Sequence, residues 1–103
     1  MKFNYMNKKN EILTEIQINN KTKKVKIKNH MSSPLNCAFG IKKTVEYRDV
    51  IKFLENRTFE PNRSDLDDIL SLFGLKEYDP YLLCKMLHGK CEGNDNWIDF
   101  QED

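Results

Sequence analysis

The sequence predicts an α+β domain in which an N-terminal antiparallel β-hairpin or small sheet packs on about three short helices, followed by a short C-terminal strand. Three observations carry this. Apolar residues alternate with polar ones between residues 12 and 28, the apolar period becomes helical from Thr44 onward, and two of the helical stretches have both a start signal and a stopping glycine.

In Ile12-Leu13-Thr14-Glu15-Ile16-Gln17-Ile18, the residues Ile12, Ile16 and Ile18 share one face while Glu15 and Gln17 take the other, the period of a half-buried strand. Asn19-Asn20-Lys21-Thr22 supplies a turn. Lys24-Val25-Lys26-Ile27-Lys28 then alternates strictly, with Val25 and Ile27 inward and lysines outward, so the two strands read as a hairpin. Lys2 to Met6 is expected to add a third strand. Residues 29 to 43 have no period and contain Ser32, Ser33, Pro34 and Gly40, which marks a loop crossing to the helical part.

Tyr47, Val50, Ile51 and Leu54 form one apolar stripe, with Thr44 as the N-cap. In the second helix Ser64 is expected to cap and Asp67 to return the bond, while Leu66, Ile69, Leu70 and Phe73 form the stripe and Gly74 ends it. The third opens with Asp79 as cap and Pro80 at the first position, and stops at Gly89. Its apolar residues reach most of the way round, which predicts a central place. After the polar turn at residues 92–96, Trp97-Ile98-Asp99-Phe100 reads as the closing strand.

At 103 residues the chain has the size of a single domain, 1–103, able to bury a core without disulfide or metal support. Its net charge of +1 hides a polarised molecule: residues 1–43 sum to +8 and residues 44–103 to −7. The basic β-hairpin region thus lies within 1–30 and the acidic helical region within 44–103. No stretch approaches the roughly twenty apolar residues of a membrane span, and Lys2 is not followed by a signal-type apolar core. Cys37, Cys84 and Cys91 are odd in number and irregularly spaced, as free thiols in a reducing compartment would be. The expected location is the cytoplasm.

Candidate chemistry is sparse. Cys84 and His88 stand one helical turn apart, with Cys91 beyond the helix end and Cys37 available as a fourth ligand. No CxxC pair is present, however, and Cys84 sits among Leu82, Leu83 and Met86, where a cysteine ordinarily serves as a small hydrophobe. No third group orients a Cys–His pair, and phosphate-loop and nucleophile-elbow signatures are missing. Asp65, Asp67 and Asp68 suit the positive end of a helix dipole. These features predict a non-enzyme without metal or cofactor.

Candidate contacts are better represented. Lys21, Lys23, Lys24, Lys26 and Lys28 form a cationic strand and turn that would follow nucleic-acid phosphates or meet an acidic partner. Outward lysines also protect a sheet edge from pairing with other chains, the commoner use of such a strand. Arg57 and Arg63 bracket the loop between the first two helices. An arginine fork there would hold a partner's carboxylate or phosphate, or fix the helix crossing from within. Trp97 is either a core plug or, if exposed, a binding hot spot.

A longer pattern runs through these residues. Phe53-Leu54-Glu55-Asn56-Arg57-Thr58-Phe59-Glu60-Pro61-Asn62-Arg63-Ser64-Asp65-Leu66, then Leu72-Phe73-Gly74-Leu75, then residues 82–89 and Asp95-Asn96-Trp97-Ile98 resemble the N-terminal accessory segment that precedes the kinase-like domain of HipA-like proteins of Gram-positive bacteria. That segment carries a helix, an arginine, a proline, a second arginine, a helix ending in Leu-Gly, a Leu-Leu-Lys helix ending in glycine, and an Asp-x-Trp-Ile close. Met6-Asn7-Lys8-Lys9 with Ile12 to Ile18 is similar to its opening hairpin, and Phe39-Gly40 falls where it has Pro-Val-Gly. The resemblance spans nearly the whole chain and implies no catalytic residue, since the kinase-like fold would follow Trp97-Ile98 and the sequence ends at Asp103.

What the resemblance implies is a free-standing accessory domain acting in trans on a HipA-like kinase toxin, as antitoxin or regulatory partner. Two other functions fit the same composition. One is a phage or mobile-element inhibitor of a host or defence nucleoprotein, of the anti-CRISPR kind. The other is nucleic-acid binding through the lysine strand.

Overall fold

The computed structural model describes residues 1–31, 37–40, 44–90 and 95–101. Its elements are β1 (Lys2–Met6), β2 (Ile12–Ile18), β3 (Val25–Asn29), α1 (Tyr47–Glu55), α2 (Leu66–Leu72), α3 (Pro80–Leu87) and β4 (Trp97–Phe100). The strands form one antiparallel sheet in the order β3-β2-β1-β4, so the architecture is α+β as the sequence predicts. The N-terminal strand and the closing strand are neighbours in that sheet.

Alternation sets the two faces. Phe3 stands opposite Ile16 and Phe100, Tyr5 opposite Thr14 and Ile98, and Ile16 opposite Ile27. These residues share the inner face with Ile18 and Val25. The outer face carries Lys26, Gln17 and Lys2 in one row and Lys28, Glu15, Asn4 and Asp99 in the next.

α1 covers the inner face. Val50 and Leu54 are fully buried with Phe3, Ile16 and Ile98, and Tyr5 meets Phe53 edge-on at 5.3 Å. Each such apolar side chain contributes about 1.5–3 kcal/mol by leaving water. Glu46, not Thr44, is the N-cap of α1: its amide donates to Asp49 Oδ2 at 2.9 Å, and its carbonyl accepts from Val50 N. The reciprocal bond available to Asp49 outweighs the better intrinsic cap two residues earlier.

In α2 the cap is Asp65 rather than Ser64, because Leu66 N donates to Arg63 O and draws Ser64 into a preceding turn. The stop is as expected. Gly74, at φ +72°, lets Leu75 N reach Leu70 O and its own N–H reach Ser71 O.

α3 starts as predicted, with the Asp79 side chain accepting from Leu82 N at 3.1 Å and Pro80 in the first turn. Leu83 and Cys84 are fully buried, Cys84 in the core cluster with α1 and the sheet, yet Leu82 and Met86 are 37% and 46% exposed. The helix is therefore covered on one side only, less central than its apolar content suggests. It stops as predicted at Gly89, at φ +65°, whose N–H reaches Cys84 O, and the left-handed turn already begins at the C-cap His88. Among the described residues no helix is long and apolar enough to cross a membrane. Ser32, Ser33, Pro34, Cys91 and residues 92–94 of the predicted polar turn lie outside the described residues.

Candidate functional site

Arg57, just past α1, points inward and is 5% exposed. Its Nε–H donates to Gly89 O at 2.8 Å and its Nη2 to Asn96 O at 2.6 Å, while the guanidinium lies over the Tyr5 ring at 5.2 Å. Asn96 Nδ2 in turn donates to Tyr5 Oη at 2.7 Å, and Ile98 N donates to His88 O at 2.8 Å. A planar fork with several donors in fixed directions satisfies carbonyls from two segments at once, a geometry to which a point-charge ammonium on a flexible stem is less suited. The expectation that Arg57 contacts a partner is thus corrected: buried, with its donors turned to the protein's own backbone, it joins the ends of α1 and α3 to the start of β4.

Arg63 does not converge with it. It lies at the surface before α2, paired in fork geometry with Asp65 at 2.9 and 3.1 Å, and stacks over Phe59 at 5.5 Å. The hydrogen bonds from Arg63 hold the Asp65 carboxyl below its ordinary pKa, and the same bonds raise that of Arg63. The pair is solvated, so it adds little stability and keeps a guanidinium accessible.

Trp97 is half-buried, and its Nε1–H donates to Asn7 O at 3.1 Å. Asn7 builds the β1–β2 turn by accepting from Lys9 N and Glu11 N through its side-chain oxygen. The indole and that turn form a cleft of about 500 Å³, lined by Lys8, Asn10, His88, Lys90, Asp95 and Trp97. Two lining residues, Asn10 and His88, have left-handed backbone at φ +64° and +55°. The β1–β2 turn thus meets residues from the far end of the chain, at positions 88–90 and 95–97.

The lysines separate into two groups. Lys26 and Lys28 stand on the outer sheet face with Lys2, beside Glu15, whose carboxylate takes a bond from His30 and is held below its ordinary pKa, chiefly by that bond, with Lys28 and Lys2 assisting. Lys21, Lys23 and Lys24 belong to the hairpin turn. Asn19 Oδ1 shapes that turn by accepting from Lys21 N and Thr22 N, and Lys23 Nζ lies 4.7 Å from the Tyr47 ring centre, tying the turn to α1.

Cys84 is fully buried and its thiol donates to Leu54 O at 3.2 Å, the position of a packed thiol rather than of an accessible nucleophile. Among the described residues no three His, Cys, Asp or Glu side chains are grouped to hold a metal ion.

Of the predicted contacts, then, Arg57 is internal, Arg63 and Trp97 lie apart, and only Lys26 and Lys28 share the open sheet face. Lys8, Asn10, His88, Lys90 and Asp95 were not predicted beside Trp97. Their grouping depends on the pairing of β4 with β1, for which the sequence holds no local signal. Comparison with family models, with curated proteins and with solved structures finds no match.

Proposed function

We propose that the chain is a non-catalytic protein-binding regulatory module of the cytoplasm, acting in trans on a HipA-like kinase as antitoxin or regulatory partner. One observation carries the reading: residues that bear the resemblance to the HipA-like accessory segment, though far apart in sequence, touch one another. Arg57 binds the carbonyls of Gly89 and Asn96, and Ile98 bonds back to His88. In this fold those residues hold one another from within, so the chain would act through the surface they keep in place.

The test is co-purification of the chain with a HipA-like kinase that lacks an accessory segment of its own, followed by an autophosphorylation assay. The expected result is a stable complex with altered kinase activity. Separate elution and unchanged activity would defeat the reading.

A second reading, nucleic-acid binding, is favoured by the placing of Lys2, Lys26 and Lys28 on a sheet face that no described helix covers. Glu15 and Asp99 share that face and reduce its attraction for phosphates. Gel-shift binding that weakens steeply with salt and is lost in a Lys26→Glu, Lys28→Glu variant would support it.

A further inference from the structure

We infer that the Trp97 cleft is the docking site for the partner, and that it takes an acidic segment of that protein: carboxylates at Lys8 and Lys90, with an adjoining apolar side chain on the indole. The inference rests on the reading of the chain as a protein-binding module and deepens it by naming the face and the chemistry recognised.

Charge is the first ground. Lys8 and Lys90 are exposed, come from different segments, and have no ion-pair partner among the described residues. Among the described residues Asp95 is the one carboxylate lining the cleft, set against Lys8 and Lys90, so the described lining carries an excess of positive charge. Such a site favours an anionic occupant and speeds its arrival.

Preorganisation is the second. The indole is oriented by its bond to Asn7 O, and Asn7 fixes the turn that bears Lys8 and Asn10. Behind the cleft Arg57 clamps its other two walls, since Gly89 lies between His88 and Lys90, and Asn96 between Asp95 and Trp97. Arg57 is therefore a positioning residue: it sets the spacing of the walls without touching the occupant. A rigid aromatic that need not be ordered on binding is the usual anchor of a protein interface.

The same lining disfavours a nucleic-acid strand. Sequence-tolerant strand sites place several rings along a cationic groove, whereas this cleft has one indole and an opposing carboxylate.

Trp97 is the only tryptophan in the sequence, so its emission reports on this cleft directly. The probes are the kinase-like protein, bound by the chain in a calorimeter, and overlapping tryptophan-free peptides of that protein, titrated against Trp97 emission. The expected result is that peptides rich in Asp and Glu beside an apolar residue shift the emission. A Lys8→Glu, Lys90→Glu variant, folded by circular dichroism, should bind kinase and peptides at least about tenfold more weakly. A Lys26→Glu, Lys28→Glu variant should bind as wild type does.

If the cleft variant binds the kinase as tightly as the wild type, the inference falls and the module reading stands. If the wild type binds neither kinase nor peptides, both fall together. Emission that responds to oligothymidylate but not to acidic peptides, or to the chain's own concentration alone, would overturn the inference in favour of a nucleic-acid site or a self-association face.

Discussion

The Arg57 guanidinium donates to the Gly89 carbonyl at 2.8 Å across 32 residues of chain, and this bond couples the end of α1 to the end of α3. With its partner bond to Asn96 it makes Arg57 the residue on which the helical layer and the last strand are jointly hung. The two arginines of the bracketing pair consequently differ in kind.

Arg57→Met should lower stability by about 3 kcal/mol, because it removes two charge-assisted bonds and leaves the buried Gly89 carbonyl and the partly buried Asn96 carbonyl without that donor. Arg57→Lys should recover only part of this, since a flexible ammonium lacks the preorganised fork that aligns two donors on the two carbonyls. Arg63→Met should change stability by no more than about 0.5 kcal/mol. Urea unfolding of the three variants measures the contrast, and equal losses for Arg57→Met and Arg63→Met would refute it.

Two glycines separate backbone strain from steric conflict. Both Gly74 and Gly89 have positive φ, but a Cβ on Gly74 meets nothing within 4 Å, whereas one on Gly89 would lie 2.4 Å from Ile98 Cγ1. Gly74→Ala should cost about 1 kcal/mol, the penalty of left-handed backbone alone. Gly89→Ala should cost about 3 kcal/mol, with overpacking added. The order of the two unfolding midpoints is the check.

Much of this was legible in the sequence, and the limits have physical causes. Ile12, Ile16, Ile18, Val25 and Ile27 alternate, so the hairpin could be read locally, and Asp79-Pro80 and Gly74 punctuate their helices by chemistry contained within a few residues. Arg57 could not be resolved that way. An arginine between helices looks the same whether it faces water or the core, and its acceptors here are main-chain atoms 32 and 39 residues away. The Trp97 cleft was hidden for the same reason: Lys8, Lys90 and Trp97 meet only because β4 pairs with β1.

Tyr78 supplies a pH dependence. Its hydroxyl donates to Phe59 O at 2.8 Å, and burial, reinforced by nearby Glu55, pushes its pKa from 10.0 to about 12. The folded state thus holds the phenol proton more tightly than the unfolded state does. The stabilisation is fully present below pH 10.0 and declines as pH rises toward about 12. Tyr78→Phe should flatten that part of the stability profile, and unfolding midpoints at several alkaline pH values would show whether it does.

Cys84 should be inert while the protein is folded. With Cys37 and Cys91 replaced by serine, the remaining thiol, fully buried against Leu54 O, is expected to react with an aromatic disulfide reagent only as fast as the protein opens. Labelling as fast as that of a free thiol would place Cys84 at an accessible site and return the Cys–His pair to consideration.

Calorimetric titration against a HipA-like kinase lacking its own accessory segment decides the proposal that the chain binds such a protein through the surface its buried residues support. An equimolar complex is expected, with a Kd of about 1 μM or tighter, a free energy near −8 kcal/mol, weakened in the Arg57→Lys variant under conditions where that variant remains folded. Absence of heat and of co-elution, with both proteins folded, would contradict it.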